Sequence, residues 1–216
     1  MRMARNIAGI GVLGWLCLVA ACGDPVPPAA QAGVSIHIQE YDTKDPAHSG
    51  DRCPPSRHWV NVPYERGKQP TSQTQRTSAT DHGPTAVNNQ DGDKVTCSVK
   101  PKGSGFSVSA EAYGHAEIDD LNNARKEISP SIIRFTIPQI GQGDTDAPGV
   151  ISLQDHASLV RYETTQCQFS TEGGSREVAA GKIWASVRCE MLADIKSPGA
   201  NCQVDTGFLV FENCAQ

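Results

Sequence analysis

Six cysteines spread between residues 53 and 214 constrain this chain more than any other feature: Cys53, Cys97, Cys167, Cys189, Cys202 and Cys214. A structural zinc site would need close pairs such as C-x-x-C. The nearest neighbours here are 12 and 13 residues apart, so the set reads as three disulfides and not as a metal site. The apolar residues between the cysteines alternate with polar ones, so the bridges would staple strands rather than helices. A framework of this kind forms only in an oxidising compartment. The N-terminal segment therefore has to explain how the chain reaches one.

It does so in three parts. Met1–Asn6 carries Arg2 and Arg5, and Ile7–Val19 is apolar and uncharged. This is the pattern of a secretory signal, shorter than the roughly 20 apolar residues of a membrane span. Leu18-Val19-Ala20-Ala21-Cys22 then reads as a bacterial lipobox. Small or aliphatic residues lie extended before a cysteine whose thiol would receive a diacylglycerol and become the new N-terminus. Residues 1–21 are the expected signal peptide, taking Cys17 with them, and Cys22 is the expected lipidation site. Two or more acyl chains anchor stably where one holds only marginally. Gly23 stands where some lipoproteins carry a retaining aspartate, so the outer membrane is favoured over the inner, by analogy. Cleavage removes two of the 19 basic residues and none of the 24 acidic ones, leaving 195 residues with a net charge of −7. That length suits one domain with a real core, and the charge argues against nucleic acid as a partner.

Residues 22–33, with Pro25, Pro27 and Pro28, read as a tether, and residues 34–216 as the folded domain. Strands are expected at Val34–Ile38 and at Trp59–Tyr64, with Pro63 confining the second to an edge or a strand end. A polar stretch at about 66–90 reads as a flexible loop. Lys94–Lys100 and Phe106–Ala112 form a hairpin around Gly103-Ser104-Gly105. Asp119–Ile128 is the one expected helix: Asp119 or Asp120 would cap it, Leu121, Ala124 and Ile128 share a face, and Pro130 ends it. Ser131–Ile137 is a strand and Gly141–Gly149 a Gly/Asp loop. Short strands follow at Val150–Leu153, Leu159–Glu163 and Gln166–Phe169. Gly181–Cys189 alternates most clearly, Met191–Asn201 reads as a loop, and Gly207–Cys214 is apolar on both faces and hence central. Nine or ten short strands with at most one short helix indicate an all-β, antiparallel sandwich or barrel, with a disulfide-stapled sandwich as the expected form.

Chemistry-bearing motifs are sparse. Asp91-x-Asp93 and Asp144-x-Asp146 offer carboxylates but do not continue into a twelve-residue calcium loop, so they read as solvated turns. His37, His48, His58, His82, His115 and His156 are scattered and read as surface histidines. No nucleophile elbow, phosphate loop or dinucleotide fingerprint occurs. Trp59 and Trp184 are the candidate ligand-binding residues, because an exposed aromatic on a sheet face can stack on a sugar or a lipid chain. For Trp184 the competing reading is a second buried face.

Lys94-Val95-Thr96-Cys97 opens the second half, Gly181-Lys182-Ile183-Trp184-Ala185 lies within it, and Phe211-Glu212-Asn213-Cys214 ends it. With the lipobox, residues 93–214 resemble the mycobacterial nineteen-kilodalton lipoprotein antigen family, and more closely a group of uncharacterised deltaproteobacterial lipoproteins. The resemblance implies a sandwich closed by a bridge between the first and last cysteines of this region, Cys97 and Cys214. The chain departs from the pattern in its four further cysteines and its N-terminal extension. For those four, Cys189 with Cys202 would staple the loop between the last two strands and leave Cys53 with Cys167. The rival arrangement joins Cys167 to Cys189 across a hairpin. The expected function is that of a cell-envelope lipoprotein without catalytic activity or cofactor. It would be anchored to the membrane through Cys22 and act as a surface binding or structural module for a protein, glycan or lipid partner. The alternative is a carrier holding a lipid or other apolar ligand between its sheets.

Overall fold

In a computed structural model the described residues are 27–40, 57–62, 86–120, 125–155, 161–174, 176–195 and 201–216. They form eleven strands and no helix: β1 Gln31–Glu40, β2 Arg57–Val62, β3 Ala86–Val87, β4 Lys94–Lys102, β5 Gly105–Asp120, β6 Arg125–Ile140, β7 Ala147–Asp155, β8 Arg161–Ser170, β9 Glu177–Ala179, β10 Lys182–Asp194 and β11 Asn201–Glu212. All ladders between them are antiparallel. The all-β antiparallel class is the one expected from the sequence. The neighbour order β11-β1-β2-β5-β6-β7-β8-β10 returns to β11 through a β10–β11 ladder. The two walls are thus hydrogen-bonded at both edges into one closed ring of eight strands. Closure removes the unpaired edges that an open sheet leaves available for aggregation.

Alternation along the strands fills the interior. Val34, Ile36 and Ile38 of β1, Ile133, Phe135 and Ile137 of β6, and Ile183, Ala185, Val187 and Cys189 of β10 are all at most 3% exposed. Phe135 meets Phe169 of β8 edge-on at 6.2 Å between ring centroids and Phe211 of β11 at 6.0 Å. β6 and β11 are four positions apart in a ring of eight, so the second contact crosses the barrel.

One seam is closed in two ways. The outer edge of β5 pairs with β2 over Glu117–Asp120 and with β4 over Gly105–Tyr113. Where β4 lies there, its other edge is taken by the C-terminal tail. The Val99 amide donates to the Ala215 carbonyl at 2.9 Å, the Ala215 amide to the Cys97 carbonyl at 2.9 Å, and the Gly181 amide to the Val99 carbonyl at 3.1 Å. The Cys97–Cys214 disulfide fastens the same junction. Gly181 has φ +77°, and a Cβ there would sit 3.2 Å from the Cys214 carbonyl, so only glycine makes this turn without strain.

Several sequence expectations change. The helix at 119–128 is absent among the described residues: β5 runs to Asp120 and β6 starts at Arg125, with Asp119 opposite Lys126 and Asp120 opposite Arg125. A ten-residue helix is marginal in water, and the long β5–β6 ladder takes its place. Residues 31–33, assigned above to the tether, begin β1, and Ala32 is fully buried. Ala86–Val87, assigned to the long loop, pairs with β1 as β3. The two strands expected around Thr164 are one, β8. The Met191–Asn201 loop is shorter than expected, because Leu192 pairs with Cys202 and both are fully buried. Cys189 bonds to Cys167, its direct partner across the β8–β10 ladder. The rival hairpin arrangement therefore replaces Cys189–Cys202 and Cys53–Cys167, since register opposes the first pair. Cys202 is also disulfide-bonded. Cys53, Cys22 and the signal segment lie outside the described residues, as does the rest of the long loop up to residue 85.

Gly149, assigned to a loop, lies within β7. A Cβ there would come 2.6 Å from Phe169 Cε2 and 2.8 Å from the Thr136 carbonyl oxygen. Glycine therefore lets the Phe169 ring reach the centre of the core. Gly149→Ala is expected to destabilise the fold by about 1–3 kcal/mol and lower the thermal midpoint. An unchanged midpoint would contradict this packing.

Candidate functional site

The sequence candidates fall in different places. Trp59 stands in β2 opposite His37 of β1 and Asp119 of β5; its side chain is outside the described set. Trp184 points outward from β10, directly opposite Val210, and is half-buried although Val210 is 1% exposed. Its Nε1–H donates to Glu212 Oε1 at 3.1 Å, and the Lys182 ammonium lies 5.2 Å from the ring centroid. Lys182 is itself held by Glu177 at 2.5 Å and Glu212 at 3.2 Å. Both the ring face and the indole N–H of Trp184 thus have partners within the chain. Such an arrangement covers the β10–β11 surface rather than leaving a free stacking platform.

His37 is not the surface histidine expected: it is 4% exposed. Its Nδ1–H donates to Asp205 Oδ1 at 2.7 Å, the direction required when the carboxylate is ionised and accepts only. The partner is supplied by an irregularity. The β1–β11 register passes from His37↔Thr206 to Ile38↔Val204 and skips Asp205. A bulge adds a residue and re-aims its side chain, which is how a polar group from β11 reaches a buried imidazole. The side chains of the other five histidines lie outside the described residues.

The two acidic pairs sit in turns. Asp144 Oδ2 accepts from the Gly141 amide at 2.6 Å, and the Asp144 carbonyl accepts from Thr171. Asp91 is exposed, whereas Asp93 is 9% exposed and so not solvated as expected; its backbone closes the turn with Asn89 and Gln90. Among the described residues no three His, Cys, Asp or Glu side chains converge as metal ligands would.

The outer face of β4–β5–β6 is organised differently. Paired positions in a ladder point the same way, and three successive rungs line up across three strands. Lys94, Tyr113 and Ile132 form the first, Thr96, Glu111 and Arg134 the second, and Ser98, Ser109 and Thr136 the third. In the middle rung Arg134 Nε–H donates to Glu111 Oε2 at 2.5 Å, with side-chain exposures of 47% and 36%. An exposed pair of this kind contributes only about 0.2–1 kcal/mol to stability. Beside it, a depression of about 520 Å³ is lined by Lys94, Glu111, Tyr113, Pro130 and Ile132. On the other side, one of about 330 Å³ runs over Thr96, Ser98, Ser109 and Thr136. The hairpin expected from the sequence ends at Ala112, one residue short of Tyr113. The alternation through Lys94, Thr96 and Ser98 was the available signal.

Comparison with protein-family models, curated proteins and solved structures returned no match. The disulfides fit an exported chain in an oxidising environment. No helix among the described residues is long and apolar enough to cross a membrane.

The Lys182 ammonium is held above its ordinary value of 10.5, chiefly by the hydrogen bond to Glu177, with partial burial opposing. A raised folded-state value stabilises the fold fully below the unfolded value, and that stabilisation is lost as pH rises through the folded one. Stability is therefore expected to fall above about pH 10.5. The fall should be shallower in Glu177→Gln, as read from denaturation midpoints across pH 8–12. Parallel profiles for the two proteins would contradict the assignment.

Proposed function

We propose that the chain is a bacterial cell-envelope lipoprotein, held to the membrane by lipid on Cys22. In this reading it acts without catalysis as a surface binding or structural module. The observation that carries the proposal is the packed interior. Phe135, Phe169 and Phe211 meet between the walls, so groups available to a partner lie on the outer faces. Carriage of a lipid or other apolar ligand, the alternative, needs room between those walls. The short stretch Pro27–Ala30 leading into β1 suits a domain held by its N-terminal side, and the disulfides suit the same exported location. The outer membrane is the favoured membrane, by analogy with residue preferences after the lipidated cysteine.

Blocking the lipoprotein signal peptidase with globomycin is expected to leave a larger precursor, and Cys22→Ser to release the chain from the membrane fraction. An unchanged size and an unchanged distribution would contradict the anchor. Native mass spectrometry of the detergent-released chain is expected to show a monomer six hydrogens light with nothing held inside. A co-purifying lipid would overturn the module reading in favour of the carrier.

A further inference from the structure

The chain has a formal net charge of −5, yet the described part of one face runs the other way. On the described outward positions of β4, β5 and β6, Lys94, Lys100, Lys102 and Arg134 are cationic and Glu111 alone is anionic. A patch of one sign on a protein of the other focuses the field and selects a partner of opposite charge. This one therefore selects an anion.

The fold limits what kind of anion. Along these rungs β5 is paired on both edges, to β4 and to β6. Its backbone N–H and C=O groups are engaged, and strand addition by an extended peptide is unavailable there. Recognition falls to side chains. They comprise an apolar floor of Tyr113, Ile132 and Pro130, a central carboxylate–guanidinium pair, and the hydroxyls of the third rung. Rungs on one face are two residues apart, about 7 Å, so the two depressions succeed one another along a line with the ion pair between them. The complementary ligand is a chain of repeating units with apolar C–H faces, many hydroxyls and negative charge.

Resting on the reading of this domain as a surface binding module, we infer that the outer face of β4–β5–β6 binds an acidic glycan bearing carboxylates, such as a uronic-acid polymer. One sugar lies against Ile132 and the edge of Tyr113, whose ring already carries the Lys94 ammonium 5.9 Å from its centroid, with its carboxylate between Lys94 and Arg134. Hydroxyls of the next unit meet Glu111 and the hydroxyl rung. With its Nε–H held by Glu111, Arg134 offers a carboxylate its terminal N–H donors, and Tyr113 supplies a rigid aromatic edge with few torsions to immobilise.

The test uses the full chain released from membranes in detergent, titrated calorimetrically with oligogalacturonate, with neutral malto-oligosaccharide and with polyglutamate. Oligogalacturonate is expected to bind most tightly and to weaken with added salt. Tyr113→Leu and Arg134→Gln are each expected to weaken it roughly tenfold. Arg161→Gln should not, although Arg161 on β8 is equally exposed at 47%. No binding of oligogalacturonate, equal affinity for polyglutamate, or equal effects of Arg134→Gln and Arg161→Gln would overturn the inference. Membrane retention of the same preparation separates the two readings. A membrane-bound chain that ignores the glycan overturns this inference alone. Glycan binding by a chain that is not retained overturns only the anchored reading.

Discussion

Closure of the ladder on the outer edge of β5 is the constraint on which the rest of the structure depends. β5 meets β2 along one part of its outer edge and β4 along another, as β1 is shared between β2 and β3 and β10 between β8 and β9. Beside β4 the ring would be open without the tail, whose Ala215 pairs in parallel with Ser98 and exchanges hydrogen bonds with Cys97 and Val99. Two hydrogen bonds at a chain terminus fray easily. The Cys97–Cys214 bond converts that tail into a fixed strand partner. It spans 117 residues, and cross-linking so long a loop contributes about 5 kcal/mol in the chain-entropy account, comparable to the whole stability of many domains.

With the ring closed, inner and outer faces acquire different work. The inner face is aliphatic and aromatic, packed across the barrel through Phe135, and Gly149 makes space for Phe169. The outer face divides into regions of distinct character. Over β10 and β11 the polar groups answer one another, as Trp184, Lys182, Glu177 and Glu212 do. Over the described positions of β4–β6 the cations outnumber the anions, and one depression has an apolar floor. That asymmetry sets the outer face of β4–β6 apart from the rest of the described surface.

Period-two alternation made most strands legible, Gly181–Cys189 above all, because half-buried strands expose their pattern directly. It failed where the pattern was ambiguous or the cause lay far away in sequence. Asp119–Ile128 satisfied helix capping and spacing, yet the long β5–β6 ladder won. Met191 and Ala193 are exposed and Leu192 buried, a phase too short to read once Pro198 and Gly199 suggested a loop. The Cys167–Cys189 bond follows from a register that joins residues 22 apart, which local pattern cannot fix. His37 needed Asp205, 168 residues away, and the bulge presenting that carboxylate leaves no mark in composition. Likewise Glu111 and Arg134 become one site only through the β5–β6 register.

The most direct test of the closed seam is amide hydrogen exchange on Cys97→Ser/Cys214→Ser, which leaves Cys167–Cys189 intact. If the tail seals the ring, Val99, Gly181 and Ala215 lose protection first and most, while Ile133 and Phe135 in β6 remain the slowest to exchange. Exchange at those three amides as slow as in the unaltered protein would contradict the account, because the ring would then be closed without its clasp.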